Sequence, residues 1–207
     1  MLYIYGENMK SDNCTSVYYA AIPQREPVRD ILPKEREQEI FSCKSDKARI
    51  EKYYVWKLLG YALKHAFNLK IDNLQFTKTP DGKWICPDVF FSLAHTDGLV
   101  CVGVSDSPIG VDAEMLKPLR PGIEEKILTE RELCEFAALT EREREEYLLD
   151  RWCRKEAIFK MRGGEALMPK TIEADEYPAF TERLTLRGQE YILAVAAGEA
   201  QFLQAEI

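Results

Sequence analysis

Two stretches decide how the chain is read: Pro108-Ile109-Gly110-Val111-Asp112-Ala113-Glu114 and, downstream, Arg151-Trp152-Cys153-Arg154-Lys155-Glu156-Ala157-Ile158-Phe159-Lys160. If the first is a strand, side-chain alternation sets Asp112 and Glu114 on one face and Ala113 on the other. Two carboxylates side by side repel unless a proton or a cation lies between them. Such oxygen donors suit Mg²⁺, which takes one or two carboxylates and fills its shell with phosphate and water. The plainer reading is a strand end carrying two solvated acids. If the second stretch is a helix, four-residue steps put Trp152, Glu156 and Lys160 on one face. Glu156 and Lys160 then read as an i,i+4 ion pair worth ~0.2–0.5 kcal/mol. Alternatively, Glu156 is a metal ligand or base and Lys160 a partner for phosphate.

Working outward, Leu99–Val104 is a strand with Val100, Val102 and Val104 on one face. Just before it, Val89–Leu93 is a strand, and His95, one of only two histidines in the chain, follows it. A histidine where a strand meets a turn is either structural or a charge for an anionic ligand near neutral pH. Thr79-Pro80-Asp81-Gly82 is a turn signal, with Lys83 directly after it. Lys34 to Leu69 reads as helical in two parts, the second opening after Ser45 and Asp46 as N-cap candidates. Its apolar residues Ile50, Tyr53, Tyr54, Trp56, Leu58, Leu59 and Ala62 recur at helical steps, and Arg49 lies in its first turns. Strands are also expected at Met1–Tyr5, Ser16–Ile22, Leu184–Arg187, Tyr191–Ala196 and Gln201–Ala205. A charged helical run, Glu124–Tyr147, leads into Leu148–Met161. This order predicts an α+β fold of two similar, pseudo-duplicated lobes, residues 1–115 and 116–207, with the site in the cleft between them.

Composition narrows the partners. The 207 residues are 46% hydrophobic and 30% charged, with a net charge of −7. A phosphate ligand must therefore be gripped by a local basic cluster, and a nucleic-acid partner is not expected. The six cysteines form no CxxC pair, so neither a zinc site nor a dithiol motif is indicated. Reduced cysteines point to the cytoplasm. The start MLYIYGENMK lacks the apolar segment of a signal peptide, and no apolar run approaches the ~18–20 residues of a membrane span.

Taken together and in order, FSLAHT, PIGVDAE and WCRKEAIFK resemble the signature of the Sfp-type 4′-phosphopantetheinyl transferases. That family shows Phe-Asn-x-Ser-His-Ser, Gly-x-Asp-x-Glu and Trp-x-x-Lys-Glu-Ala-x-x-Lys at similar separations. The resemblance implies Mg²⁺-dependent transfer of the phosphopantetheine arm of coenzyme A to a serine of an apo carrier protein, releasing 3′,5′-ADP. It implies that Asp112, Glu114 and Glu156 hold the Mg²⁺ that bridges the coenzyme A pyrophosphate, and that Lys160 neutralises its charge. Glu156 is also the candidate base for the serine proton.

The resemblance further matches Arg49, Lys83 and His95 to positions that contact the nucleotide's phosphates, with Lys155 as the family's other helix lysine. Arg49 matches through Asp46-x-x-Arg49 and Leu58-Leu59-Gly60. Lys83 matches through Gly82-Lys83-Trp84, where the family has Gly-Lys-Pro. Two positions depart from the pattern. Ala94 replaces the serine before the histidine, removing a hydrogen bond worth ~0.5–1.5 kcal/mol, and Ser92 replaces the asparagine.

A carrier of the usual small, acidic, helical kind would dock on Pro118–Leu149. There Leu128, Leu133, Phe136 and Leu139 mingle with Arg131, Arg142 and Arg144; the other reading sends those apolar residues into the core. One chain carrying both lobes would act as a monomer. Two other activities use the same residues: a coenzyme A-binding, regulatory member with little or no transfer, and a Mg²⁺-dependent phosphohydrolase.

Overall fold

The computed structural model describes residues 15–207 apart from Leu32, Asp81, Leu119 and Glu165, so the strand expected at Met1–Tyr5 lies outside the described residues. Strand β1 (Thr15–Ala21) leads through a loop to helices α1 (Lys34–Phe41) and α2 (Asp46–Phe67). A small hairpin, β2 (Thr77–Lys78) and β3 (Trp84–Ile85), precedes β4 (Phe90–Thr96), β5 (Leu99–Ser105) and β6 (Gly110–Met115). Helices α3 (Glu124–Ile127), α4 (Glu130–Ala137) and α5 (Glu141–Arg162) follow, and β7 (Ala179–Leu186), β8 (Gln189–Ala196) and β9 (Gln201–Gln204) end the chain.

The strands make two main sheets, ordered β4-β5-β1-β9 and β6-β8-β7. All pairs are antiparallel except β1 with β9, where Val17 lies beside Phe202. The valine alternation in β5 explains the layering. Val100, Val102 and Val104 face α2, where Trp56, Leu59 and Leu63 cover them. Leu99 and Cys101 face the other way and pack with Ile109, Val111, Ala113, Leu193 and Val195 of the second sheet. That sheet's outer face, through Ile192, Ala194 and Ala196, carries Cys153, Ala157 and Ile158 of α5. The result is helix, sheet, sheet, helix: a mixed α+β arrangement with its central core between the sheets.

Local signals account for the element ends. The Ser45 side chain accepts from the Ala48 N–H and starts α2. The charged run read as one helix from Glu124 is instead broken into three. Thr129 accepts from the Glu132 N–H while Glu132 accepts from the Thr129 N–H, and Glu143 accepts from the Thr140 N–H. Each box gives a new helix its own N-terminus. No described helix is long and apolar enough to cross a membrane.

Candidate functional site

The site forms where α5 lies on β6. A Cβ built on Gly110 would sit 1.9 Å from the Ala157 carbonyl oxygen, so only glycine lets the helix backbone press onto the strand there. Alternation along β6 sends Val111 and Ala113 into the core between the sheets and leaves Asp112 and Glu114 on the side of α5. Trp152, Glu156 and Lys160, at four-residue steps, come down on those two acids. Lys160 Nζ donates to Asp112 Oδ1 at 2.7 Å, and Trp152 Nε1 donates to Glu114 Oε1 at 3.3 Å. Thr96, at the end of β4, donates to Glu114 Oε2 at 3.4 Å. Ser92, also on β4, accepts from the Val111 N–H at 3.0 Å and ties β4 to β6.

The electrostatics of this seam are those of crowded acids. Burial raises the Glu114 pKa, with Asp112 adding to it. Burial also raises the Glu156 pKa; Lys160 opposes, and Asp112 and Glu114 add. For Lys160, burial works against the charge, yet Asp112 and then Glu156 hold its pKa above the ordinary value. Asp112 Oδ2 is buried with no hydrogen-bond partner among the described residues. As they stand, no three acidic, histidine or cysteine side chains among the described residues form a ready metal-ligand cluster. The ammonium of Lys160 is the cation that lies among these acids.

Two more of the expected residues border the seam. Lys83 Nζ donates to the Lys160 carbonyl at 2.7 Å, and both line a cavity of about 350 Å³ with Trp84, Phe91, Phe159 and Gly163. His95 feels the charges of Lys160 and Asp112, and its Nδ1 lies 3.3 Å from Glu51 Oε2. On the far side of Glu114 is a mainly apolar cavity of about 440 Å³, walled by Ile123, Ile127, Leu148, Trp152 and Pro169, with Lys117 and Lys126 also lining it.

Two residues are engaged by other partners. Lys155 is fully buried, ion-paired with the equally buried Glu132, and donates to the carbonyls of Ile127 and Pro169. Its side chain ties helices together and has no surface to offer a ligand. Arg49 pairs with Asp46 at 2.8 Å in the first turn of α2. The apolar residues Leu128, Leu133 and Phe136 join Ile127 and Leu148 in a small core. Arg131 is held by Glu173, and Arg144 by the carbonyls of Phe136 and Ala137. Those residues of the stretch take the core reading, while Ile123, Lys126, Ile127, Leu148 and Leu149 of the same stretch line the apolar cavity beside Glu114.

Sequence reasoning missed Glu51 and the cluster around Glu39. Glu39 accepts from Arg36, Lys52, Lys78 and Trp84, which collects three cations from α1, α2 and β2 near the same face. Spacing along one helix relates Lys47 to Glu51, but only the fold sets β4 opposite them.

Comparison with known proteins falls on the same stretch of chain. Residues 108–200, which run from the acid strand through α5 and β8, match the model of the 4′-phosphopantetheinyl transferase superfamily. The chain is 26% identical over 115 residues to the 4′-phosphopantetheinyl transferase ffp of Bacillus subtilis, covering 54% of this chain and 51% of that protein. It is 27% identical over 109 residues to psf-1 of Bacillus pumilus, covering 51% and 47%. With gsp of Aneurinibacillus migulanus it shares 23% over 155 residues, covering 67% and 65%. The chain thus spans about half the length of the first two curated relatives. Over the matched stretches the chain is similar to 4′-phosphopantetheinyl transferases.

Proposed function

We propose that the chain transfers the 4′-phosphopantetheine arm of coenzyme A to a serine of an apo carrier protein, releasing 3′,5′-ADP. The carrying observation is the α5–β6 seam, where Glu156 and Lys160 descend on Asp112 and Glu114 and leave one Asp112 oxygen buried without a hydrogen-bond partner among the described residues. Three mutually repelling carboxylates and an unsatisfied oxygen are the donor chemistry that a hard divalent cation relieves. Asp112, Glu114 and Glu156 would hold Mg²⁺. When bound, it supplies Lewis-acid neutralisation of pyrophosphate charge.

The chain's own residues then have separate tasks. The serine oxygen forms a bond to the phosphorus bearing the pantetheine, and the anhydride bond to the adenosine half breaks. Lys160 stays protonated and offsets charge on the departing phosphate. Glu156, directly beside it on the helix, takes the serine proton. Lys83 and His95 hold the nucleotide's phosphates, while the apolar cavity beside Glu114 accepts the pantetheine chain. Catalysis of such a transfer is chiefly positioning and charge neutralisation.

This reading carries the finer architecture with it. The α2-backed and α5-backed sheets are the two pseudo-duplicated lobes, divided near residues 115 and 116, with β6 and β9 each crossing to pair with strands of the other half. A single chain holds the whole seam and acts as a monomer in the cytoplasm, where its cysteines stay reduced; those described are all free. The test is incubation with coenzyme A, Mg²⁺ and an apo carrier protein. Mass gain of one phosphopantetheine on the carrier is expected. Retained coenzyme A binding without transfer, or carrier-independent release of 3′,5′-ADP, would replace this reading.

A further inference from the structure

We infer that Glu51 is a positioning residue for His95: its carboxylate accepts the ring's Nδ1–H and leaves Nε2 to meet an anionic group of the substrate. The inference rests on the coenzyme A reading above. Glu51 is 8% exposed and fixed on α2, whereas the His95 side chain is 40% exposed at the end of β4. One partner is anchored in the fold and the other is free to touch a ligand. Alternation on β4 sends Phe91 and Leu93 into the core layer beneath α2, and His95 follows them, while Thr96 turns to Glu114. The 3.3 Å contact between Nδ1 and Glu51 Oε2 is thus built by strand register and helix placement together. A carboxylate that accepts from one ring nitrogen fixes the tautomer and aim of the other.

Several neighbouring elements contribute charge around this pair. Lys47 and Lys52 come from α2, Arg36 from α1, Lys160 from α5, Asp112 from β6 and Asp97 from the β4–β5 turn. Burial lowers the His95 pKa, and Lys160, Lys52 and Arg36 lower it further. Burial raises the Glu51 pKa against the pull of Lys47. Both directions favour a neutral ring donating to the carboxylate over a standing ion pair in the free protein. An arriving phosphate changes that balance. It brings negative charge, Nε2 takes up one proton from solvent, and Glu51 carries the resulting imidazolium.

The chain's two histidines, His65 and His95, make nitrogen NMR of the imidazoles a direct readout. In the wild type, neutral His95 is expected as the Nδ1–H tautomer. Glu51→Leu should shift it to Nε2–H, and Glu51→Gln, which keeps an acceptor, should hold it at Nδ1–H. Calorimetry with coenzyme A should show Glu51→Leu binding about three- to tenfold more weakly, the effect of one lost hydrogen bond. Glu51→Gln should move the fall in affinity with rising pH to lower pH, because the imidazolium loses its carboxylate. An unchanged tautomer in Glu51→Leu overturns the inference. Should that variant fail to fold, an unchanged pH profile in Glu51→Gln does so. Wild-type protein that binds no coenzyme A would instead defeat the functional reading, and the tautomer would still judge the Glu51–His95 pair.

Discussion

Lys160 Nζ donates to one oxygen of Asp112 at 2.7 Å, and the other oxygen of the same carboxylate is buried without a hydrogen-bond partner among the described residues. A half-satisfied buried acid costs stability, and such a cost persists where function uses the unpaired atom. Asp112→Asn keeps an acceptor for Lys160 but removes the charge. Carrier loading should fall at least about 100-fold and should not recover with added Mg²⁺. The thermal midpoint should shift little, because the repulsion relieved at Glu114 and Glu156 is offset by the charge that Lys160 loses. Mass spectrometry of the carrier and a melting curve measure both; loading at the wild-type rate would remove Asp112 from the site.

Glu156→Gln separates chemistry from binding. It shares a helical face with Trp152 and Lys160 and feels both β6 acids, but Lys83 and His95 lie elsewhere on the seam. Turnover should drop on the order of 100-fold or more, with coenzyme A affinity within a few fold of wild type. Equal losses in both would mean that Glu156 serves binding alone.

Gly110→Ala tests the close approach that creates the seam. The added methyl would meet the Ala157 carbonyl oxygen at 1.9 Å and the Met161 nitrogen at 2.6 Å. Backbone cannot yield as a side chain tip can, so α5 must lift off β6. A loss of at least ~3 kcal/mol in denaturant unfolding is expected, with transfer activity lost alongside. A variant as stable as wild type would show that the helix has room there.

The seam was legible because two periodicities met on it. Alternation put Asp112 and Glu114 on one face, and four-residue spacing put Trp152, Glu156 and Lys160 on another; the structure lays one on the other. The strand of valines at β5 was equally readable, since its two faces are buried by different layers. Other features depended on contacts across the chain. Lys155 sits one residue from Glu156 and looks equally available in sequence, but a step of one turns it about 100° around the helix. It goes to Glu132, 23 residues away. The break of the charged run at Thr129 and Thr140 is written as Thr-x-x-Glu, a capping signal masked by a charge pattern that continues through it. Glu51 had no signal at all: nothing in α2 reveals which strand will face it.

The Lys155–Glu132 pair gives a stability prediction free of catalysis. Both side chains are fully buried, and Lys155 also donates to the carbonyls of Ile127 and Pro169 at 2.9 and 3.1 Å. Burial lowers the Lys155 pKa, and Glu132 holds the proton on. Removing one partner strands the other charge, so Lys155→Met should cost ~3–5 kcal/mol. Adding Glu132→Met should restore a sizeable part of it. Urea unfolding of the two variants checks this, and a double variant no better than the single would show that the carbonyl contacts dominate.

Glu39 should set an acid limit on the first sheet's side of the molecule. Burial works against its charge, yet Trp84, Lys78, Arg36 and Lys52 together hold its pKa at about 2, against an ordinary 4.5. A carboxyl depressed in the folded state stabilises the fold above its unfolded pKa, and that contribution drains away as pH falls from about 4.5 towards 2. Glu39→Gln should therefore melt earlier than wild type at neutral pH, and the gap should close through that window. Thermal midpoints of both proteins at a series of pH values provide the comparison. Parallel curves from neutral pH down to the acid end would mean that the three cations do not depend on Glu39.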